Sequence, residues 1–131
     1  VIRIVDYKTG SRKNEPKEIS ELFTPGKNRN SQVLQIFYYA YTLCCKAEFA
    51  DKKIAPVLLH TRHSSGADES SVYMNMNNES VTDFSNSHSE SFGKELEALF
   101  SEIVNPDIPF SQCEEADTCK YCPFKSTICN R

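Results

Sequence analysis

Val1 to Tyr7 alternates between apolar and polar positions and ends polar, which predicts a strand. The period then disappears. Residues 9–30 carry Gly10, Pro16, Pro25, Gly26, Asn28, Asn30 and many charges, which predicts a long connection with a short helical turn around Lys17–Phe23. Connections this long are often functional. A helical pattern follows, capped by Asn30 or Ser31 and running to about Phe49. Val33, Leu34, Ile36, Phe37, Tyr38, Ala40, Tyr41 and Leu43 make that helix apolar nearly all round, so it is expected to be buried. One polar stripe interrupts it: Gln35, Tyr39, Thr42 and Lys46, at spacings of four, three and four, which is one helical face. Two readings of the stripe stand. It points at something polar, or its Gln and Tyr are satisfied by backbone groups in the core.

Ile54–Thr61 reads as a strand with Pro56 near its start or on an edge, and Ser71–Met76 reads as another. The Ser/Gly/Asp stretch between them reads as a turn, and residues 77–91 as a polar loop. Phe92, Leu96, Leu99, Phe100 and Ile103 mark an amphipathic helix that stops before Pro106. Ser87 and Glu90 fit a capping box at its start. From Pro106 onward the chain reads as irregular and short of core, so its cysteines are expected to hold it. There is no internal repeat.

The length, 131 residues, suits one domain with a core. The chain starts at Val1, directly in a strand that needs a partner, and is therefore expected to be part of a longer protein. It has no signal peptide and no apolar run long enough to span a membrane, so a cytoplasmic location is expected. The net charge of −3 does not announce a nucleic-acid binder, but its distribution is uneven. Residues 1–30 hold seven basic residues against four acids, and residues 64–117 hold twelve acids and one base, Lys94. The basic half suits an anionic substrate; the plainer reading is a set of soluble loops.

Six cysteines form two sets. Cys44 and Cys45 lie in the apolar helix, face different directions and are explained by packing. Cys113, Cys119, Cys122 and Cys129 crowd the last nineteen residues, and without a secretory signal such a cluster favours metal over disulfide. His60 and His63, three apart on a strand, point to opposite faces, so a joint metal site is not expected; His88 falls in the loop, and none of the three is given a role.

The chemistry concentrates at Ile4-Val5-Asp6-Tyr7-Lys8-Thr9-Gly10. Asp6 and Lys8 project from the same strand face where the strand runs out into a turn. A carboxylate there can hold a divalent cation, and an ammonium can orient a water or offset charge on a phosphate. An Asp and a Lys so spaced are more commonly an ordinary surface ion pair.

The order of these features resembles the PD-(D/E)XK nuclease superfamily, and most closely its RecB/AddB type, which accompanies recombination helicases. Asp6-Tyr7-Lys8 fits the (D/E)-x-K element, Gln35 and Tyr39 fit the Q-x-x-x-Y motif, and Cys119, Cys122 and Cys129 fit a cysteine tail that holds a 4Fe–4S cluster in several members. The resemblance covers the whole chain. It implies an α/β, restriction-endonuclease-like core, a central mixed sheet flanked by helices, N-terminally truncated over 1–110 with a cysteine-rich tail over 111–131. It also implies a metal-dependent deoxyribonuclease of DNA repair or recombination, with DNA as substrate and a helicase as partner. Asp6 and the Tyr7 carbonyl would ligate Mg²⁺ or Mn²⁺, Lys8 would position the attacking water, and Gln35 and Tyr39 would steer the DNA or order the site.

Two departures from the pattern follow. The family's further acids would lie upstream of Val1, so this chain is expected to lack full activity. Six residues separate Cys122 from Cys129 where the family more often has five, and the fourth cluster ligand is missing unless Cys113 replaces it. Four thiolates suit Zn²⁺ as well as an iron–sulfur cluster. A non-catalytic DNA- or protein-binding module of the same fold is the competing function, and a plain α/β domain with a structural zinc tail is the third.

Overall fold

The computed structural model describes residues 1–10, 14–26, 29–60, 74–111, 118–124 and 127. They fall into two units, Val1–Phe100 and Ser101–Arg131.

In the first unit, strand β1 (Ile2–Lys8) runs parallel to β2 (Ile54–His60), with Ile4 opposite Pro56, Asp6 opposite Leu58 and Lys8 opposite His60. The burial of β1 alternates residue by residue. Ile2, Ile4, Asp6 and Lys8 share the half-buried face, while Arg3, Val5 and Tyr7 are exposed on the other. Pro56 is tolerated for a specific reason. Ile54 N–H donates to the Ser85 hydroxyl and the Pro56 carbonyl accepts from Met74 N–H, so these alternate positions of β2 turn away from β1. The missing proline N–H costs the β1–β2 ladder nothing.

Helix α1 (Ser31–Cys44) joins the two strands and packs on both. Asn30 starts it, its side-chain oxygen accepting from the N–H groups of Gln32 and Val33 while its amide donates to the Asn14 carbonyl at 2.8 Å. The helix ends five residues before the expected Phe49. Cys45 N–H is shared between the Tyr41 and Leu43 carbonyls, Lys46 turns extended, and a separate 3₁₀ turn covers Ala47–Phe49. Lys46 is therefore not on the helical stripe. A second 3₁₀ turn, Ile19–Leu22, buries Ile19 and Leu22 against α1, close to the turn expected over Lys17–Phe23.

Residues 77–91 are not a loop. Asn77 and Asn78 both adopt left-handed backbone (φ 50° and 64°), the conformation of a two-residue hairpin turn, between β3 (Asn75–Met76) and β4 (Glu79–Ser80). Only the end of the strand expected over Ser71–Met76 lies among the described residues. Helix α2 (Phe84–Ser87) follows, capped by Asp83, whose carboxylate accepts from Asn86 N–H. Helix α3 spans Ser89–Val104. The capping box is absent: the Ser87 hydroxyl donates to the Asp83 carbonyl, and Glu90 pairs with Lys94. The sequence missed α2 because four residues hold no period.

The core gathers Phe37, Phe84 and Phe92, all fully buried, with Val33, Ile36, Leu22 and Ile54. Phe37 and Phe84 centroids lie 4.9 Å apart, and Phe92 meets Phe84 edge-on at 5.9 Å. Each such ring stabilises the fold by about 1.5–3 kcal/mol through burial alone. This core fixes α1 over the strands and so sets the position of its polar stripe. The architecture is mixed α/β. Among the described residues the strands make two small sheets, parallel β1–β2 and antiparallel β3–β4.

In the second unit a 3₁₀ turn covers Thr118–Tyr121, and Cys122 N–H donates to the Cys119 carbonyl at 3.2 Å.

Candidate active site

Strand alternation turns Asp6 and Lys8 toward α1, and α1 turns Gln35 and Tyr39 toward them. The four side chains form one continuous chain of contacts. Lys8 Nζ lies 2.8 Å from Asp6 Oδ2 and donates to Gln35 Oε1 at 2.6 Å. Gln35 Nε2 donates to the Tyr39 hydroxyl at 3.0 Å. Lys8 and Asp6 are largely withdrawn from water, with side chains 20% and 22% exposed, so this is no ordinary surface pair. The polar stripe of α1 is thus turned to the strand end rather than to core backbone. Thr42 does not join it, since its hydroxyl donates to the Tyr38 carbonyl.

Asp6 Oδ2 is buried yet accepts no well-directed hydrogen bond among the described residues. The Lys8 ammonium faces it at ion-pair distance but off the line that a directed bond requires. A buried carboxylate oxygen left in that state retains lone pairs for a cation. Asp6 and the Tyr7 carbonyl fit as two oxygen ligands of Mg²⁺ or Mn²⁺, ions that keep several waters and need only one or two carboxylates. Among the described residues no cluster of three His, Cys, Asp or Glu side chains completes a metal site.

The site lies at the carboxyl ends of the parallel strands, where ligands of open α/β sheets collect. His60 belongs to this corner, with Nδ1 3.3 Å from the Gly10 carbonyl oxygen. No reading of a single strand points to His60; its signal is the parallel register, which sets it opposite Lys8. His88 is half-buried against the core, stacked on Phe37 at 6.1 Å, and burial pushes its pKa down. It is a packing residue.

Cys119 and Cys122 carry free thiols in the second unit, and Cys113, Cys129 and His63 lie outside the described residues. Cys44 is half-buried, its Sγ 3.7 Å from the Ser85 hydroxyl, and burial pushes its thiol pKa up. Cys45 is exposed. Both thiols line an open cleft of about 620 Å³ between α1 and α3, with Tyr41 and Glu97. Burial, then Cys45 and Glu97, push the Tyr41 phenol up.

The family model of the PD-(D/E)XK nuclease superfamily matches residues 1–130. The chain belongs to that superfamily. Neither the curated proteins nor the solved structures contain a match to it. Superfamily membership assigns it a nuclease-type function, with DNA as the implied substrate and Mg²⁺ or Mn²⁺ as the metals that such nucleases generally use. Among the described residues no helix is long and apolar enough to cross a membrane.

Proposed function

We propose that this chain is the C-terminal part of a metal-dependent deoxyribonuclease of the RecB/AddB type, acting in DNA repair or recombination beside a helicase in the cytoplasm. The contact chain Asp6–Lys8–Gln35–Tyr39 carries the reading, because it joins a buried carboxylate, an ammonium and two hydrogen-bonding groups at a strand end. Asp6 and the Tyr7 carbonyl would hold a divalent ion, which would supply Lewis-acid charge at the phosphate. Lys8 holds the attacking water and offsets the charge that builds on the phosphate oxygens. Gln35 fixes the Lys8 ammonium through its carbonyl oxygen, and Tyr39 fixes the Gln35 amide in turn. Asp6 is the one carboxylate of this contact chain, and an ion with so few protein ligands would be weakly held, so little activity is expected of the chain by itself.

The domain comprises a core over 1–110 and a cysteine tail over 111–131. In the whole protein Cys113, Cys119, Cys122 and Cys129 hold a 4Fe–4S cluster, with Zn²⁺ as the alternative. Iron and zinc analysis of anaerobically purified protein decides between them.

A second reading, a non-catalytic DNA-binding module, is favoured by one observation: among the described residues no group of three His, Cys, Asp or Glu side chains gathers to hold a metal ion. The deciding experiment is cleavage of labelled linear DNA in Mn²⁺. It compares this chain, a form extended upstream to include the expected acids, and the Lys8→Ala variant of the extended form. Cleavage by the extended unmutated form alone supports the nuclease. Binding without cleavage by that form supports the module.

A further inference from the structure

We propose that His60 is a substrate-contacting residue of this same site, giving its Nε2 to a phosphate oxygen of the DNA strand. The inference rests on the nuclease reading and extends the site from β1 to β2. The parallel register sets His60 directly opposite Lys8. Residues so paired on neighbouring strands project from the same face of the sheet, with the strands about 4.8 Å apart. The imidazole therefore stands beside the Lys8 side chain at the mouth of the site.

The ring is already oriented. Nδ1 lies 3.3 Å from the Gly10 carbonyl oxygen, and a carbonyl only accepts, so Nδ1 is the nitrogen that carries a proton. The second nitrogen, Nε2, has no partner among the described residues, and the ring is only half-buried. A protonated ring donates from both nitrogens at once, to Gly10 and to an anionic acceptor. Lys8 on β1 is the cation next to it, and that charge is met by Asp6 at 2.8 Å. A phosphodiester entering between Lys8 and His60 would thus meet one donor from each strand. The plainer role, fastening the Gly10 carbonyl and with it the start of the long loop, uses Nδ1 alone.

Two substitutions separate the nitrogens. In His60→Asn the side-chain amide nitrogen falls near the Nδ1 position; in His60→Gln it falls near the Nε2 position. Affinity for a fluorescein-labelled linear DNA, read by anisotropy in EDTA so that nothing is cut, is compared for both, for wild type and for Lys8→Ala. The expected result is binding about 10-fold weaker in the Asn form, equivalent to about 1.4 kcal/mol, with the Gln form within about 3-fold of wild type. Melting by circular dichroism checks that each variant is folded. The proposal is overturned if the Asn form binds like wild type, or if the Gln form falls as far as the Asn form. If wild type binds no DNA, or Lys8→Ala binds as tightly as wild type, the DNA does not lie between Lys8 and His60 and this proposal is overturned; the nuclease reading is decided separately, by the cleavage assay on the extended form.

Discussion

Lys8 Nζ and Gln35 Oε1 meet at 2.6 Å across a separation of 27 residues, so the strand-borne cation is held by the helix and not only by its neighbour Asp6. The bond constrains a side chain that otherwise has four free torsions. An ammonium held this way is available to a water or a phosphate without first paying its ordering entropy.

If the upstream-extended form cleaves DNA as proposed, Gln35→Ala in it is expected to lower kcat by about 10–100-fold, the usual cost of removing a group that orients a site residue. Tyr39→Phe is expected to cost less, because Tyr39 acts through Gln35. The double variant should be no worse than Gln35→Ala alone, since the two losses share one path. Additive losses would show that Tyr39 contacts the DNA independently.

The pH dependence of stability should carry a signature of His88. Burial depresses its pKa in the folded state below the ordinary value of 6.5. The unfolded chain therefore takes up the proton first as pH falls. The stability that His88 contributes is present in full above about pH 6.5 and is lost as pH drops toward the depressed folded value. Melting temperature should fall from pH 7.5 to 5.5, and His88→Phe, which keeps a ring on Phe37, should flatten that part of the curve.

Asn30→Ala should destabilise the first unit by about 2 kcal/mol. It removes a helix cap, about 1 kcal/mol, and leaves the Asn14 carbonyl without its donor. Asn30→Asp keeps the cap acceptor but loses the bond to Asn14, and should fall between wild type and Ala. Urea unfolding monitored by circular dichroism measures both.

Gly93→Ala tests the contact between α1 and α3. A Cβ at Gly93 would lie 2.7 Å from the Tyr41 hydroxyl oxygen and 3.0 Å from its ring carbon Cε2. Alanine gains about 1 kcal/mol of helix propensity, against about 1–3 kcal/mol for overpacking. Net destabilisation is expected in urea titrations. In a Tyr41→Ala background the same substitution should become stabilising, because only the propensity gain remains.

Local features were readable from sequence where one element decides them. The alternation of Val1–Tyr7, the Asn30 cap and the apolar run of α1 each follow from the residues themselves. The stripe was legible through Tyr39, because four-residue spacing repeats on one helix face. Lys46 was misplaced because the end of α1 depends on how Cys45 N–H divides its bond between two carbonyls, not on periodicity. The hairpin at Asn77-Asn78 was missed because strands of two residues carry no alternation to detect. His60 was passed over because its neighbour, Lys8, belongs to another strand.

The sequence alone determined which residue types stand on each face of β1 and α1, since strand and helix periods are fixed by backbone geometry. It also carried the match to the superfamily's model over residues 1–130. Only the tertiary structure decided that the two faces meet. The buried Phe37–Phe84–Phe92 cluster sets α1 over the strands. The parallel register then brings Lys8 beside His60 and within reach of Gln35. Packing and register are properties of pairs of elements distant in sequence, and no single segment encodes them.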